Sequence, residues 1–325
     1  MPSIDWPLEK LIEYKPALYR EPDFDDFWKQ TISAAGSQAL NEAVTPYDLK
    51  AKGLKCFSVR WDGFVGGADD RPGRIAGWYV RPEGSGKYPG VMFYHGYGGR
   101  GVRPLDMVSL ASQGFCVMSM DCRGQTGDSA DQSAPASGHS TGYMTKGILD
   151  PATYYYRYVY ADAVRALELL ATRKEVDESR LAVTGGSQGG AISLAVSALT
   201  PRKLTLSLPD VPFLCDFRRA INITPQNPYP EIVRYLKLNI STFDRVIKTL
   251  SYFDNMNLAP WIKCQTVIAN GLWDDVCPPS TIYAAYNHIP AAKQMCNYPY
   301  HGHETPYEHK ELQFRLLTEL LRAGE

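Results

Sequence analysis

The chain has 325 residues, of which 44% are hydrophobic and 21% are charged, and its formal net charge is −1. This composition is ordinary for a globular protein. The balanced charge argues against nucleic acid or an anionic membrane surface as a partner. The N-terminus shows no basic stretch followed by an apolar run, and no apolar run approaches the roughly 20 residues of a membrane span. We therefore expect neither a secretory signal nor a membrane anchor.

The seven cysteines are odd in number and irregular in spacing, and no Cys-x-x-Cys pair occurs. Structural zinc sites are commonly built from closely spaced pairs of this kind, so we expect no metal. Scattered thiols in a chain without a visible signal sequence are typical of a reducing compartment. The sequence therefore predicts a cytoplasmic protein.

Residues 1–50 are interpreted as an N-terminal extension, with short helices predicted over residues 8–14 and 22–35. Apolar and polar residues then alternate over residues 55–61 and 74–81, a pattern typical of strands. The glycine- and aspartate-rich segment between these strands predicts a hairpin loop. We expect the aromatic side chains of the extension to pack onto the main body.

From Tyr88 onward the pattern changes to strand, turn and helix. The predicted strands cover residues 89–94, 115–120, 181–184, 204–208, 265–269 and 293–298. The predicted helices cover residues 105–113, 156–172, 191–199, 282–288 and 307–321. Strands that alternate with helices imply a mainly parallel sheet with helices on both faces.

Residues from about 215 to 258 interrupt this rhythm, because they contain no strand pattern while residues 232–238 and 243–250 favour helices. We interpret the segment as a small helical cap inserted between two core strands. An ordinary pair of surface helices is the alternative. There is no internal repeat and no low-complexity segment, so residues 1–325 are predicted to form a single domain.

The most informative stretch is residues 183–190, where Ser187 is flanked by glycines in the pattern Gly-x-Ser-x-Gly. A strand before it and a helix after it predict a sharp turn that exposes the serine hydroxyl at a helix N-terminus. Glycine is needed at 185 and 189 because a β-carbon there would collide with the neighbouring strand or helix. Glycine-rich turns also bind phosphate, but the chain has neither phosphate-binding motif. The pattern predicts a serine nucleophile in an α/β-hydrolase fold.

A serine nucleophile needs a base, and in this fold the chain order is serine, acid, histidine. His301 and His303 lie in the loop after the last predicted strand. His303 is the predicted base, because Gly302 gives the loop freedom to turn the imidazole toward Ser187. His301 is the second candidate.

The acid that orients the base is predicted in the loop after the strand at 265–269. Asp274 is our choice there, and Asp275 is the near alternative. Asp210 is a further competitor, since it follows the strand at 204–208, where some hydrolases of this fold carry the acid.

Acyl transfer also needs hydrogen-bond donors for the oxyanion of the tetrahedral intermediate. One predicted donor is the backbone N–H of Gln188, directly after the nucleophile. The other is the backbone N–H of Tyr97, because the glycines around it allow amides to turn inward. A simple tight turn is the alternative interpretation of this loop.

With these residues assembled, the chain resembles carbohydrate esterase family 7, which contains acetyl xylan esterases and cephalosporin C deacetylases. The matching segments run almost the whole length of the chain. They are residues 23–28, 95–97, 123–125 (Arg-Gly-Gln), 142–148, 185–189, 271–274 and 303–304 (His-Glu). The Arg-Gly-Gln, Gly-x-Ser-Gln-Gly and His-Glu motifs in this order are far more specific than Gly-x-Ser-x-Gly alone.

The resemblance implies removal of acetyl groups from small substrates such as acetylated xylo-oligosaccharides and cephalosporin C, with no cofactor. It implies a triad of Ser187, Asp274 and His303, and a structural role for Arg123 and Gln125. It also implies a ring-like homohexamer whose active sites face an internal cavity. Trp273 departs from the family pattern, which often has a smaller aliphatic residue there, so the pocket near the acid is expected to be reshaped.

Overall fold

The computed structural model describes residues 4–67 and 70–321. These residues form a nine-stranded sheet with the strand order β1-β2-β3-β5-β4-β6-β7-β8-β9. The strands are β1 (Ala43–Tyr47), β2 (Leu54–Asp62), β3 (Arg74–Pro82), β4 (Tyr88–Tyr94), β5 (Cys116–Met120), β6 (Val176–Gly186), β7 (Leu206–Asp210), β8 (Gln265–Gly271) and β9 (Lys293–Tyr298).

The sheet is antiparallel at one side and parallel over the rest. The pairs β1–β2, β2–β3 and β3–β5 are antiparallel. The pairs from β5 through β4, β6, β7 and β8 to β9 are all parallel. The carboxyl ends of the parallel strands therefore meet at one edge, which is where ligands bind in sheets of this kind. The predicted, mainly parallel sheet is confirmed.

Helices follow the strands as the sequence predicts. They are α1 (Leu8–Glu13), α2 (Phe24–Ser37), α3 (Pro104–Ser112), α4 (Tyr155–Ala171), α5 (Gln188–Leu199), α6 (Phe217–Ile223), α7 (Tyr229–Leu238), α8 (Phe243–Ser251), α9 (Asn255–Leu258), α10 (Pro279–Tyr286) and α11 (Tyr307–Leu321). No helix of the described residues is both long and apolar enough to cross a bilayer.

Alternation along the buried strands divides the core into two layers. Successive side chains of a strand point to opposite faces. Val91 and Val117 accordingly pack with α3 and α11, whereas their neighbours Met92 and Met118 pack with α4 and α5. Both faces are buried, which is why these strands read as continuous apolar runs.

Several element boundaries differ from the predicted ones by a few residues, and two of these differences have a clear physical reason. β6 begins at Val176, not near 181, because Glu178 and Ser179 are exposed at its start and mask the strand pattern. α10 begins at Pro279, not near 282, since proline fits the first position of a helix. The predicted hairpin loop at 66–73 contains residues 68 and 69, which lie outside the described residues.

The first 50 residues contain more structure than the two predicted helices. The sequence gives no signal for β1, because all five of its side chains are exposed and show no alternation. α2 buries Phe24 and Trp28 in the main core. The Trp28 indole N–H donates to the Tyr252 carbonyl at 2.8 Å. The extension is thus joined to the helices that lie between β7 and β8.

The segment between β7 and β8 contains helices only, among them α7 and α8, which the sequence predicts. α6 was not predicted, as its seven residues include two arginines and only Phe217 and Ala220 are buried. Buried side chains such as Tyr229 and Leu250 join this segment to the main core. We call residues 215–258 the cap segment.

We predict that Trp28→Ala lowers the free energy of unfolding by about 3–5 kcal/mol, because a buried indole leaves a cavity and an unpaired carbonyl. Urea denaturation followed by far-UV circular dichroism measures this. The matched control is Ile12→Ala, which truncates a side chain that is 56% exposed in the same N-terminal segment. Equal effects of the two substitutions would contradict the described packing of α2.

Candidate functional site

The turn between β6 and α5 places Ser187 in a strained backbone conformation. Its φ is +57° and its ψ is −115°, a region that side-chain-bearing residues rarely adopt. The Ser187 N–H donates to the Asp210 carbonyl at 2.9 Å, and the Phe213 N–H donates to the Ser187 carbonyl at 3.0 Å. Residues at the end of β7 and just after it therefore bond both the N–H and the carbonyl of Ser187 and hold the turn in place.

The two flanking glycines are required by close approach. A Cβ at Gly185 would lie 2.3 Å from the Tyr94 carbonyl oxygen, and a Cβ at Gly189 would lie 2.0 Å from the same atom. Real Cβ atoms do not come so close to a backbone oxygen, so either substitution would push the turn away from β4. The collisions expected from the sequence pattern are present.

The loops after β8 and β9 bring the predicted acid and base into contact. His303 Nδ1 and Asp274 Oδ2 are 2.8 Å apart. Asp274 is fully buried, and its other oxygen accepts hydrogen bonds from the N–H groups of Val276 at 2.9 Å and Cys277 at 2.7 Å. With Nδ1 held by the carboxylate, Nε2 is the nitrogen left to exchange a proton with a substrate or nucleophile.

Cys277 lies between the Ser187 side chain and the His303–Asp274 pair and interacts with both. Burial raises the pKa of the Cys277 thiol well above its usual value, and a hydrogen bond with the Ser187 side chain partly opposes that rise. The ligand atoms of Cys277, Asp274 and His303 all lie within 4.8 Å of one another. Within residues 4–67 and 70–321 no hydrogen bond joins Ser187 to His303 directly; such bonds are often long in the absence of substrate.

The same three groups have the spacing that a metal ion would need. Asp274, however, already accepts two backbone hydrogen bonds and the contact with His303. The raised pKa of the Cys277 thiol disfavours the thiolate that binds metals. These features favour acid–base chemistry over metal binding.

His301, the alternative base, and Asp275, the near-alternative acid, do not form an acid–base pair in the described structure. His301 is turned against Tyr298, with ring centroids 5.7 Å apart, and its buried Nδ1 has no hydrogen-bond partner among the described residues. Asp275 is partly exposed and, in the described parts of the chain, makes no hydrogen bond with either histidine. Of the two candidate bases, His303 is the one that contacts Asp274.

Asp210, the third candidate acid, pairs with a different histidine. His309 Nε2 lies 3.2 Å from Asp210 Oδ1, and the Gln313 side-chain amide donates to the same oxygen at 2.7 Å. Burial lowers the pKa of His309, but the contact with the Asp210 carboxylate more than offsets this and raises the pKa to about 9. The sequence assigned His309 only to a helix, and its pairing with Asp210 across 99 residues left no local signal.

Both predicted oxyanion donors lie at the carboxyl edge of the sheet. Gln188 is the first residue of α5, so its backbone N–H has no partner within the helix. Tyr97 lies in the loop after β4, and its backbone N–H has no acceptor among the described residues. His95 shapes this loop, because its Nδ1 contacts the Gly96 carbonyl at 2.7 Å and its Nε2 accepts from the Cys122 N–H at 2.8 Å.

The side chain of Gln125 ties the two donor segments together. Its oxygen accepts from the Gly98 N–H at 2.8 Å, and its amide nitrogen donates to the Gln188 side-chain oxygen at 2.8 Å. Tyr156 donates to that same Gln188 oxygen at 3.0 Å. Gln125 therefore holds the loop after β4 against the start of α5.

Arg123, two residues before Gln125, anchors the segment that carries Gln125. Its buried guanidinium donates to both carboxylate oxygens of Asp162, at 2.7 and 2.9 Å, and to the Phe64 carbonyl at 2.9 Å. Its own carbonyl accepts from the Tyr155 hydroxyl at 2.6 Å. These contacts fix the loop after β5, and none of them reaches Ser187, Asp274 or His303.

The loops of the acid and base also contact each other through backbone. The Trp273 N–H donates to the His301 carbonyl at 3.0 Å. A Cβ at Gly271 would lie 2.2 Å from the Gly302 carbonyl oxygen, whereas a Cβ at Gly302 would make an ordinary 3.5 Å contact. We expected glycine to be needed at position 302, but the position where a side chain would collide is 271.

Two exposed aromatic rings stand on these loops. Trp273, directly before the acid, is 42% exposed, and Tyr300 is 71% exposed. Their centroids are 6.4 Å apart at an interplanar angle of 72°. Such an edge-to-face pair leaves ring surface uncovered beside the His303–Asp274 pair.

No sequence pattern pointed to Glu231, which lies on α7 in the cap segment. Both of its carboxylate oxygens accept from the Tyr97 hydroxyl, at 2.8 and 2.9 Å. The two residues are 134 positions apart, and a single glutamate in a helix has no pattern that points to a distant tyrosine. Its contact with the donor loop is visible only in the structure.

Comparison with known proteins identifies relatives of the whole chain. The family model of the acetyl xylan esterases (AXE1) matches residues 1–320. The acetyl esterase Axe7A of Xylanibacter ruminicola is 31% identical over 300 residues, which cover 90% of this chain and 66% of that protein. The chain thus spans about two thirds of the length of that curated relative.

Two solved structures are similar over nearly their full length. An acetyl xylan esterase from Paenibacillus sp. R4 is 41% identical with a TM-score of 0.92, covering 97% of this chain and 100% of the other. Acetyl xylan esterase 1 from Thermoanaerobacterium sp. JW/SL YS485 is 32% identical with a TM-score of 0.91, covering 97% and 99%. They confirm both the α/β-hydrolase fold and the resemblance seen in the motifs. The chain belongs to the acetyl xylan esterase family of carboxylic ester hydrolases.

Proposed function

We propose that this protein is a serine esterase that removes acetyl groups from small substrates such as acetylated xylo-oligosaccharides and cephalosporin C. The observation that carries the proposal is the 2.8 Å contact between His303 and the buried Asp274, beside a strained turn that presents Ser187. The names of the relatives support the acetyl group as the one removed.

In the first half of the reaction, His303 Nε2 takes the Ser187 proton as the hydroxyl oxygen attacks the acetyl carbonyl. Asp274 keeps the imidazole in the required tautomer and stabilises the imidazolium that forms. The backbone N–H groups of Tyr97 and Gln188 hold the negative oxygen of the tetrahedral intermediate, and each such donor is worth on the order of 3 kcal/mol. His303 then protonates the leaving alcohol, giving an acetyl-enzyme.

In the second half, water replaces the alcohol. His303 removes a proton from water as it attacks the acetyl-enzyme, and the same two N–H groups hold the second oxyanion. Ser187 leaves with the proton returned by His303, and acetate is released. The residues at the site carry every proton transfer in this scheme, which requires no metal or organic cofactor.

We further propose that the protein is a homohexamer, on the basis of the family resemblance, and that it is cytoplasmic, on the basis of its scattered thiols. Sedimentation velocity tests the assembly, since a particle of six chains and one of a single 36.3 kDa chain separate clearly. A monomer at micromolar concentration would overturn this part of the proposal without affecting the chemistry.

We predict that a fluorophosphonate probe labels Ser187, and that Ser187→Ala abolishes both labelling and acetate release while the circular dichroism spectrum is unchanged. Activity should be high on p-nitrophenyl acetate and acetylated xylose and absent on peptide p-nitroanilides. Turnover by the Ser187→Ala variant, or cleavage of the anilides, would contradict the proposed reaction.

We predict different outcomes for the two buried aspartates. Asp274→Asn should lower kcat for p-nitrophenyl acetate by about 10³–10⁴, because the imidazole loses the group that sets its tautomer. Asp210→Asn should leave kcat within about threefold of the original, because Asp210 pairs with His309 and not with His303. Loss of activity in the Asp210 variant alone would reverse the assignment of the acid.

The pair of Asp210 and His309 should instead affect stability in a pH-dependent way. The pKa of His309 is raised to about 9 in the folded state from 6.5. Its contribution is therefore fully present below pH 6.5 and is lost as the pH rises through 9. Asp210→Asn should cost on the order of 2 kcal/mol at pH 6 and little at pH 10, as measured by urea denaturation.

We predict that Trp273→Ala raises KM for acetylated xylo-oligosaccharides about fivefold, because a sugar ring loses apolar surface on which to stack. kcat/KM for p-nitrophenyl acetate should change less than twofold, and Trp273→Phe should restore part of the loss. Tyr47→Ala is the matched control. That ring is also 42% exposed and edge-to-face with an indole, but it lies on β1 at the opposite edge of the sheet. Equal effects on both substrates would contradict a sugar contact at Trp273.

A further inference from the structure

The cap segment contacts the predicted oxyanion loop through a buried carboxylate. The Tyr97 hydroxyl lies within hydrogen-bonding distance of both oxygens of Glu231, which belongs to the first turn of α7. Burial raises the pKa of the Tyr97 hydroxyl far above its usual range, so this group stays protonated and donates. Glu231 is 7% exposed, and no salt bridge to it occurs in the described structure.

The surrounding chain is shaped to fit this carboxylate. The Met144 N–H donates to Glu231 Oε2 at 3.1 Å, and the Tyr143 N–H donates to the Tyr97 hydroxyl at 2.6 Å. Gly142 has a φ of +97°, and a Cβ there would lie 2.0 Å from Glu231 Oε2. Three segments distant in sequence therefore meet at one carboxylate.

A buried carboxylate without a salt bridge is costly, because its solvation in water is lost. Here burial raises the pKa of Glu231 above its usual value. Stability alone gives little reason for a charged group at this position. Its position opposite Tyr97 gives another reason, since the contact restrains the residue whose backbone N–H is proposed to hold the oxyanion.

Tyr97 is held at both ends. Its hydroxyl is bound by Glu231, and its backbone is followed by Gly98, whose N–H donates to Gln125. Gln125 in turn bonds the side chain of Gln188, which carries the second proposed donor. On the other side of the same peptide, the Gly96 carbonyl contacts His95 Nδ1 at 2.7 Å and accepts from the Gly99 N–H at 3.1 Å. The contact with Glu231 adds a restraint on the Tyr97 ring that these backbone contacts do not provide.

We propose that Glu231 is a positioning residue for the esterase reaction, holding Tyr97 from the cap so that its backbone N–H points to the oxyanion. The proposal rests on the proposed function, because it assigns a role in that reaction. Glu231 acts through Tyr97 and does not touch substrate. The cap segment is then a working part of the oxyanion site as well as a cover over the sheet.

The test measures kcat, KM and the affinity for a trifluoromethyl ketone, which forms a tetrahedral adduct with the nucleophile. Tyr97→Phe and Glu231→Ala should each lower kcat for p-nitrophenyl acetate about tenfold and change KM less than twofold. Each should also lower the affinity for the trifluoromethyl ketone about tenfold. The double variant should lose no more than either single one, because the two groups act as a unit. Glu231→Gln, which keeps an acceptor oxygen, should retain more activity than Glu231→Ala.

The matched control is Tyr14→Phe, which deletes another tyrosine–carboxylate hydrogen bond to the cap segment, from Tyr14 to Asp216 at 2.9 Å. Its kcat should be unchanged. If Glu231→Ala does not fold, Tyr97→Phe alone tests the proposal, because it removes one oxygen and keeps the ring and the backbone.

Two results would overturn the role of Glu231. One is a kcat of the Tyr97→Phe variant equal to that of the unsubstituted protein. The other is a loss of thermal stability in both Tyr97→Phe and Glu231→Ala while the affinity for the ketone is unchanged. Ser187→Ala separates this from failure of the proposed function. If that variant still turns over substrate, the reaction scheme itself is wrong, whereas an inactive Ser187→Ala beside a fully active Tyr97→Phe rejects only the positioning role.

Discussion

The strained turn at Ser187 is the constraint on which the rest of the site depends. A non-glycine residue at a positive φ costs about 1–3 kcal/mol, and it persists only where the surrounding structure holds it. Here β4 approaches the turn so closely that Gly185 and Gly189 cannot carry side chains, and the Asp210 carbonyl anchors the Ser187 N–H. Ser187, the proposed nucleophile, is thus positioned by the spacing of β4, β6 and β7, and the other groups are arranged around it.

The supporting loops are held by buried polar side chains that bond to one another and to backbone. Gln125 joins the loop after β4 to the first residue of α5, and Arg123 fixes the segment that carries Gln125. Buried polar groups are costly when unpaired and rigid when fully paired. A network of this kind suits a site in which two backbone N–H groups must keep one orientation through two tetrahedral intermediates.

How much of this was visible in the sequence depended on the range of the signal. The parallel strands were predicted well because both faces are buried and the apolar runs are continuous. The Ser187 turn was visible because its glycines are adjacent in the chain. β1 left no pattern, since all its side chains are exposed. The start of β6 was hidden by exposed polar residues in the same way.

The choice among the three acids shows the limit of position as a guide. Asp210 and Asp274 lie at or just after the ends of core strands. Only the structure shows that Asp210 pairs with His309 and that Asp274 pairs with His303. The place of Trp273 beside the candidate acid could be read from the order of residues in the chain. Its exposure, and its pairing with Tyr300, depend on two loops meeting and could not be predicted.

Two helices of the cap segment, α7 and α8, were expected from the sequence pattern, but that pattern gives no reason for Glu231 to be buried without a salt bridge in the described structure. A helix that only covered the sheet would place an apolar side chain there, because a hydrophobic residue of similar size is often more stable than a buried charge. A carboxylate is retained where its acceptor oxygens are needed, and here they face the Tyr97 hydroxyl and the Met144 N–H. The cap segment and the proposed oxyanion loop are therefore best regarded as one structural unit, built around Glu231 from the first and Tyr97 from the second.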